Sequence, residues 1–99
     1  MRFLLIAHMD VQQSNEAVRN GRIAQVLQET MQKLKPEVAY FGPGNGMRTA
    51  YLVVNIDDAS QIPSISEPFF QEMGATVELI PVMTAEDLAK GIAALQQGG

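Results

Sequence analysis

The sequence holds one histidine, His8, and no cysteine, so a search for chemistry starts at that imidazole. If residues 3–9 are extended, positions two apart share a face, and His8 and Asp10 point the same way. Tyr51 and Glu78 fall on the matching face of two further segments with strand-like patterning. An imidazole with phenol and carboxylate neighbours can move protons to or from a small substrate with an acidic carbon. The same groups, satisfying one another inside a protein interface, would be structural instead. His8, Tyr51 and Glu78 are therefore the candidate catalytic set. Arg48 shares parity with the opposite face and is a candidate anion holder at a cavity rim, set against a plain surface salt bridge.

Other chemistries are poorly supplied. Without cysteine there are no disulfides, zinc ribbons, iron–sulfur clusters or thiol nucleophiles. One histidine leaves no multi-histidine metal site, and no metal or cofactor is expected. Seven basic against eleven acidic side chains give −4, so no positive field exists to hold a nucleic acid. Gly42-Pro43-Gly44-Asn45-Gly46 has the composition of a phosphate-cradling loop but joins two strands, so it reads as a hairpin turn. Asp57-Asp58 reads as a helix cap rather than a cation site. The apolar run after Met1 is too short for a signal peptide or a membrane span, and a cytoplasmic location is expected.

The elements that must position these groups follow from periodicity. Residues 3–9 form a short strand that is apolar on both faces, the mark of a central strand. A single helix is expected from Ser14 or Asn15 to Lys35, with Gly21 near its start and Pro36 as its stop. Residues 37–41 and 47–56 are strands, the second alternating Ala50, Leu52, Val54 and Ile56 against Thr49, Tyr51 and Val53. Apolar positions Ile62, Ile65, Phe69 and Met73 mark a helical segment that Pro63 and Pro68 should kink or divide before Gly74. Residues 75–82 form a last strand, and Thr84 to Asp87 is a capping-box start for a final helix striped by Leu88, Ile92 and Leu95.

The order β-α-β-β-α-β-α over 1–99 is a single α+β domain of the split βαβ, ferredoxin-like type, with a four-stranded antiparallel sheet and the two main helices on one face. Phe3, Leu5, Leu52, Val54, Ile65, Phe69, Phe70 and Leu79 would lie between sheet and helices. The other sheet face would carry Leu4, Ile6, His8, Thr49, Tyr51, Val53, Glu78, Ile80 and Val82. That face is too apolar for open solvent, so a homodimer paired sheet to sheet is expected.

Arg48-Thr49-Ala50-Tyr51-Leu52-Val53-Val54 is followed by Asp57-Asp58, Ser60, Ile62-Pro63, Ile65 and Glu67-Pro68-Phe69-Phe70, then by Met83-Thr84 and Glu86-Asp87-Leu88. With these motifs the whole chain resembles the dimeric α+β barrel superfamily, and within it a small bacterial family of unknown function. The resemblance implies sheet-paired dimers and a ligand cavity between sheet and helices, which would make Phe69 and Phe70 candidate ligand contacts, with Arg48 at the cavity rim. Members include cofactor-free monooxygenases, muconolactone-type isomerases and haem peroxidases, the last with a proximal histidine on a helix, whereas His8 lies on a strand. Two readings follow. One is a non-catalytic or small-ligand-binding dimeric module. The other is a cofactor-independent enzyme acting on a small hydrophobic carbonyl or phenolic compound.

Overall fold

A computed structural model describes residues 1–98. Its strands are β1 (Arg2–His8), β2 (Val38–Gly44), β3 (Met47–Asn55) and β4 (Thr76–Pro81), and its helices α1 (Val11–Arg19), α2 (Arg22–Leu34), α3 (Ile62–Met73) and α4 (Ala85–Gln96). The strands form one antiparallel sheet in the order β2-β3-β1-β4. This is the ferredoxin-like order, with the both-sides-apolar β1 in the interior as its composition requires.

Strand alternation divides the sheet into two faces. Phe3, Leu5 and Ala7 of β1 pair with Val54, Leu52 and Ala50 of β3. From this face Leu5, Ala7, Ala50, Leu52 and Val54 join Ala17, Val26, Ile65, Phe69 and Met73 of the helices in one buried core. The opposite face runs in rows across the strands. Thr76, His8, Thr49 and Gly42 form one row, and Glu78, Ile6, Tyr51 and Tyr40 the next. Ile80, Leu4, Val53 and Val38 form a third. Among the described residues, no helix covers this face.

The first helical stretch differs from expectation. It is two helices, divided at Asn20-Gly21, where Gly21 takes φ +77°. A left-handed backbone is cheap only for glycine, so this residue ends one helix and opens the next. The stretch also starts earlier than Ser14. Asp10 caps α1, accepting a hydrogen bond from the Gln13 amide at 2.9 Å. Ser14 is instead an interior residue of α1, fully buried.

The two prolines of the next helical segment are accommodated differently. Asp58 and Gln61 form a capping box on a 3-10 turn, Ala59–Gln61, which leads directly into α3. Pro63 occupies the first turn of α3, where no amide partner is lost. Pro68 lies inside the helix and deprives the Ser64 carbonyl of its donor. Lys33 of α2 fills the gap, its Nζ donating to that carbonyl at 2.8 Å. The Arg22 guanidinium adds a two-pronged link to Glu72 at 2.7 and 3.1 Å, joining α2 to α3. That bond holds the Glu72 carboxyl below the usual carboxylate range.

β2 also runs further than residues 37–41, continuing through Gly44 to a two-residue turn at Asn45-Gly46. Both turn residues have positive φ, +53° and +75°, the geometry that matches hairpin twist. Pro43 is tolerated because β2 is an edge strand. Thr84 and Asp87 form the expected capping box of α4. Among the described residues, no helix is long and apolar enough to cross a membrane.

Candidate functional site

The structure separates the sequence-derived candidates onto two sides of the sheet. On the uncovered face, His8 and Thr49 are directly paired between β1 and β3. His8 Nδ1 lies 2.8 Å from Thr49 Oγ1. That hydroxyl is nearly fully buried and also lies 2.9 Å from the Met47 carbonyl and 3.3 Å from the Gly44 carbonyl. A threonine hydroxyl has a single hydrogen. With that hydrogen given to Met47, Nδ1 of His8 is the donor of this pair.

Tyr51 belongs to the same cluster through the hairpin. A β-carbon added at Gly44 would fall on the Tyr51 hydroxyl, with Thr49 Oγ1 at 3.0 Å and His8 Cε1 at 3.3 Å. His8, Thr49 and Tyr51 are therefore gathered beneath Gly44, which has room for them only because it lacks a side chain. Glu78 stands in the adjoining row, paired with Ile6, and is exposed. Among the described residues neither it nor the Tyr51 hydroxyl makes a side-chain hydrogen bond or ion pair, so of the proposed set His8 alone is hydrogen-bonded. Asp10 is not on this face either. β1 ends at His8, and the chain turns so that Asp10 serves as the cap of α1. The strand parity that linked Asp10 to His8 does not extend past the end of the strand.

Arg48 is on the helix side. Its Nη1 donates to Ser14 Oγ at 2.7 Å and to Asn15 Oδ1 at 2.9 Å, both in α1. The buried Ser14 thus fixes the guanidinium against the helix layer. No carboxylate among the described residues lies within ion-pair distance of Arg48, so the salt-bridge alternative has no partner there. Beside it opens a cleft of about 570 Å³ between α1, α2 and the β2–β3 hairpin. Met9, Val11, Ile23, Leu27, Phe41 and Met47 form its apolar walls, with Asn15 and Arg48 as polar groups at the edge. The cleft follows from two local events. Helices α1 and α2 part at Gly21, and the lengthened hairpin reaches beyond the helix layer, leaving Phe41 half-exposed.

The expected cavity deeper in the protein is filled. Leu5, Leu52 and Phe69 are fully buried and Val54 almost so, and they pack as ordinary core. Phe69 therefore has no exposed surface for a ligand. Phe70 points outward, 43% exposed, into a groove between α3 and β4. Neither phenylalanine meets Arg48 at the cleft. The cleft residues Ile23, Leu27, Phe41 and Met47 escape sequence reasoning because their spacing is that of core positions. The sequence signal is Gly21, a helix-weakening residue inside a helical pattern, together with the Asn-Gly turn that lengthens the hairpin.

The arrangement places an imidazole–hydroxyl pair and a phenol on one face, and an apolar cleft with one arginine on the other. A search of curated proteins finds no match to the chain. The family described as a domain of unknown function (DUF3303) matches residues 1–96, and the chain belongs to it.

Proposed function

We propose that this protein is a homodimeric small-ligand-binding module that holds a compact hydrophobic anion, such as an aromatic or short aliphatic carboxylate, in the cleft beside Arg48. The observation that carries the reading is the pairing of an apolar cleft with a guanidinium anchored by Ser14 and Asn15 and lacking a carboxylate partner among the described residues. Ligand sites are typically apolar pockets with a few placed polar groups. Arginine is suited to a carboxylate because its fork donates two parallel hydrogen bonds.

Binding is favoured over turnover because the chemical groups do not converge. His8 and Tyr51 face away from Arg48 across the sheet, so a substrate held by the arginine has no proton-handling group of the same protomer above it. Pairing of two copies through the uncovered face would give His8 and Thr49, bonded to each other, and the neighbouring Tyr51 a structural task within an apolar contact. Leu4, Ile6, Val53 and Ile80 supply the apolar part of that surface.

Benzoate and octanoate, titrated against neutral benzamide and octanol, test the ligand reading by amide chemical-shift mapping. The carboxylates should shift Met9, Ile23, Leu27 and Arg48, and Arg48→Met should abolish the effect. Equal shifts with the neutral probes, or persistence in the variant, would overturn it. Sedimentation equilibrium tests the pairing: Ile6→Lys should convert a micromolar dimer to monomer, and a monomeric parent protein would refute the dimer.

A further inference from the structure

Helix α4 does not behave as part of its own domain. All of its residues are exposed. Its apolar stripe stands clear of the chain, with Leu88 50%, Ile92 46% and Leu95 72% exposed. After Lys90 the helix carries no charge at all. A helix this apolar is normally buried, and an isolated one of twelve residues is marginal in water. The backbone bond from Val82 to Arg2 and the contact of Arg2 with Asp87 at 3.9 Å hold its base at the end of the sheet.

The chain has a second unfilled apolar feature, the groove of about 430 Å³ between α3 and β4. Ile62, Phe70, Val77 and Leu79 line it, and Glu67 is its charged member. We propose that α4 is an exchanged arm, whose Leu88–Ile92–Leu95 stripe docks in the α3–β4 groove of a second copy of this chain, with the reciprocal contact made in return. A two-fold pair satisfies both features at once, because each copy offers one stripe and one groove.

Surface area supports a partner of this size. The chain exposes 6323 Å², whereas a compact monomer of its mass exposes about 5,500 Å². The excess of roughly 800 Å² is what each member of a standard stable interface buries. The radius of gyration is likewise 16.1 Å, against about 13 Å for a compact domain of this length. The proposal goes beyond ligand binding in the cleft and is separable from pairing through the sheet face.

The cysteine-free chain permits a direct test. Single variants Ile92→Cys and Phe70→Cys are mixed and oxidised, with Gln28→Cys on the exposed surface of α2 as a control in place of Phe70→Cys. A crosslinked heterodimer should form faster with Phe70→Cys than with the control, and equal rates would overturn the proposal. Independently, Ile92→Glu/Leu95→Glu removes little burial within the chain and should still fold. It should weaken self-association on the order of a hundredfold by sedimentation, as loss of central apolar anchors does. Unchanged association of that variant, together with a loss of dimer in Ile80→Lys, would refute the exchanged arm while leaving the sheet-face pairing in place.

Discussion

Gly44→Ala isolates the packing around the His8 cluster. No positive φ is involved at Gly44, so an alanine backbone fits there without strain. On conformational grounds alone the substitution should stabilise the protein by about 0.4–1 kcal/mol, because the unfolded chain loses freedom. Sterically it should do the reverse. The new methyl would fall on the Tyr51 hydroxyl and press to 3.0 Å from Thr49 Oγ1. Thr49 has little freedom to yield, since its hydroxyl is held by His8 and by the Met47 carbonyl. Tyr51 must swing away, and overpacking of this kind costs about 1–3 kcal/mol. The net expectation is a loss of roughly 1–2 kcal/mol when both contributions are combined.

Tyr51→Phe removes the atom with which the methyl collides hardest, leaving the tight approach to Thr49 Oγ1 at 3.0 Å. In that background Gly44→Ala should therefore cost distinctly less than in the parent, with a coupling energy of about 1 kcal/mol between the two sites. Urea denaturation of the four proteins in the cycle measures this directly. Additive effects, with Gly44→Ala costing the same in the Tyr51→Phe background as in the parent, would show that the hydroxyl does not sit over Gly44. The cluster of His8, Thr49 and Tyr51 would then lose its geometric basis.

Three further outcomes test the framework. Phe69→Ala should cost about 3–5 kcal/mol in urea denaturation, since a fully buried ring leaves a cavity that its neighbours only partly fill; a loss within experimental error would contradict the packed interior. Lys33→Met should cost less than about 1 kcal/mol, because water can replace the lysine at the exposed Ser64 carbonyl, and should cost less still in Pro68→Ala, whose restored amide can bond that carbonyl; a larger loss would show that water does not replace the lysine. Glu72 titrates below its ordinary range because Arg22 stabilises its charged form, so its contribution is present above the unfolded carboxylate pKa and is lost as pH falls through the lower folded value. Glu72→Gln should accordingly flatten the acid limb of a stability–pH profile, and a limb as steep as the parent's would show that the link carries no stability.

Much of the fold is legible in the sequence because alternation is a strong constraint. Ala50, Leu52 and Val54 must share a face, and burying them fixes the side of the sheet that the helices cover. The same rule places Arg48 on the helix side and Tyr51 on the other from the sequence alone. The rule fails where strands end. Asp10 obeys β1 parity on paper, yet one residue beyond His8 the backbone has turned to begin α1, and the carboxylate becomes a cap. Helical periodicity fails in a similar way at Gly21, because two short helices with a brief break preserve nearly the same apolar stripe as one long helix. Pro68 shows the opposite limit. Its local cost is real, but Lys33, distant in sequence, supplies the missing donor, and no window of sequence contains both.

The separation of the two candidate groups has a consequence for any catalytic reading. Arg48 and Thr49 are consecutive, so strand geometry alone sends their side chains to opposite sides of β3. An enzyme that used Arg48 to hold an anion and His8 to move a proton would have to act through the sheet, or borrow one group from another protomer. The proposed sheet-face pairing would not supply that loan, because it would cover His8 rather than bring it to a cleft on the helix side. On the proposed reading Arg48, oriented by the buried Ser14, would select charge in the cleft. His8, bonded to Thr49 under Gly44, would satisfy polar groups in a contact between copies. If carboxylates shift the cleft amides while His8→Ala weakens only self-association, the division is functional, and the small chain combines a ligand site and an assembly surface on the two sides of one sheet.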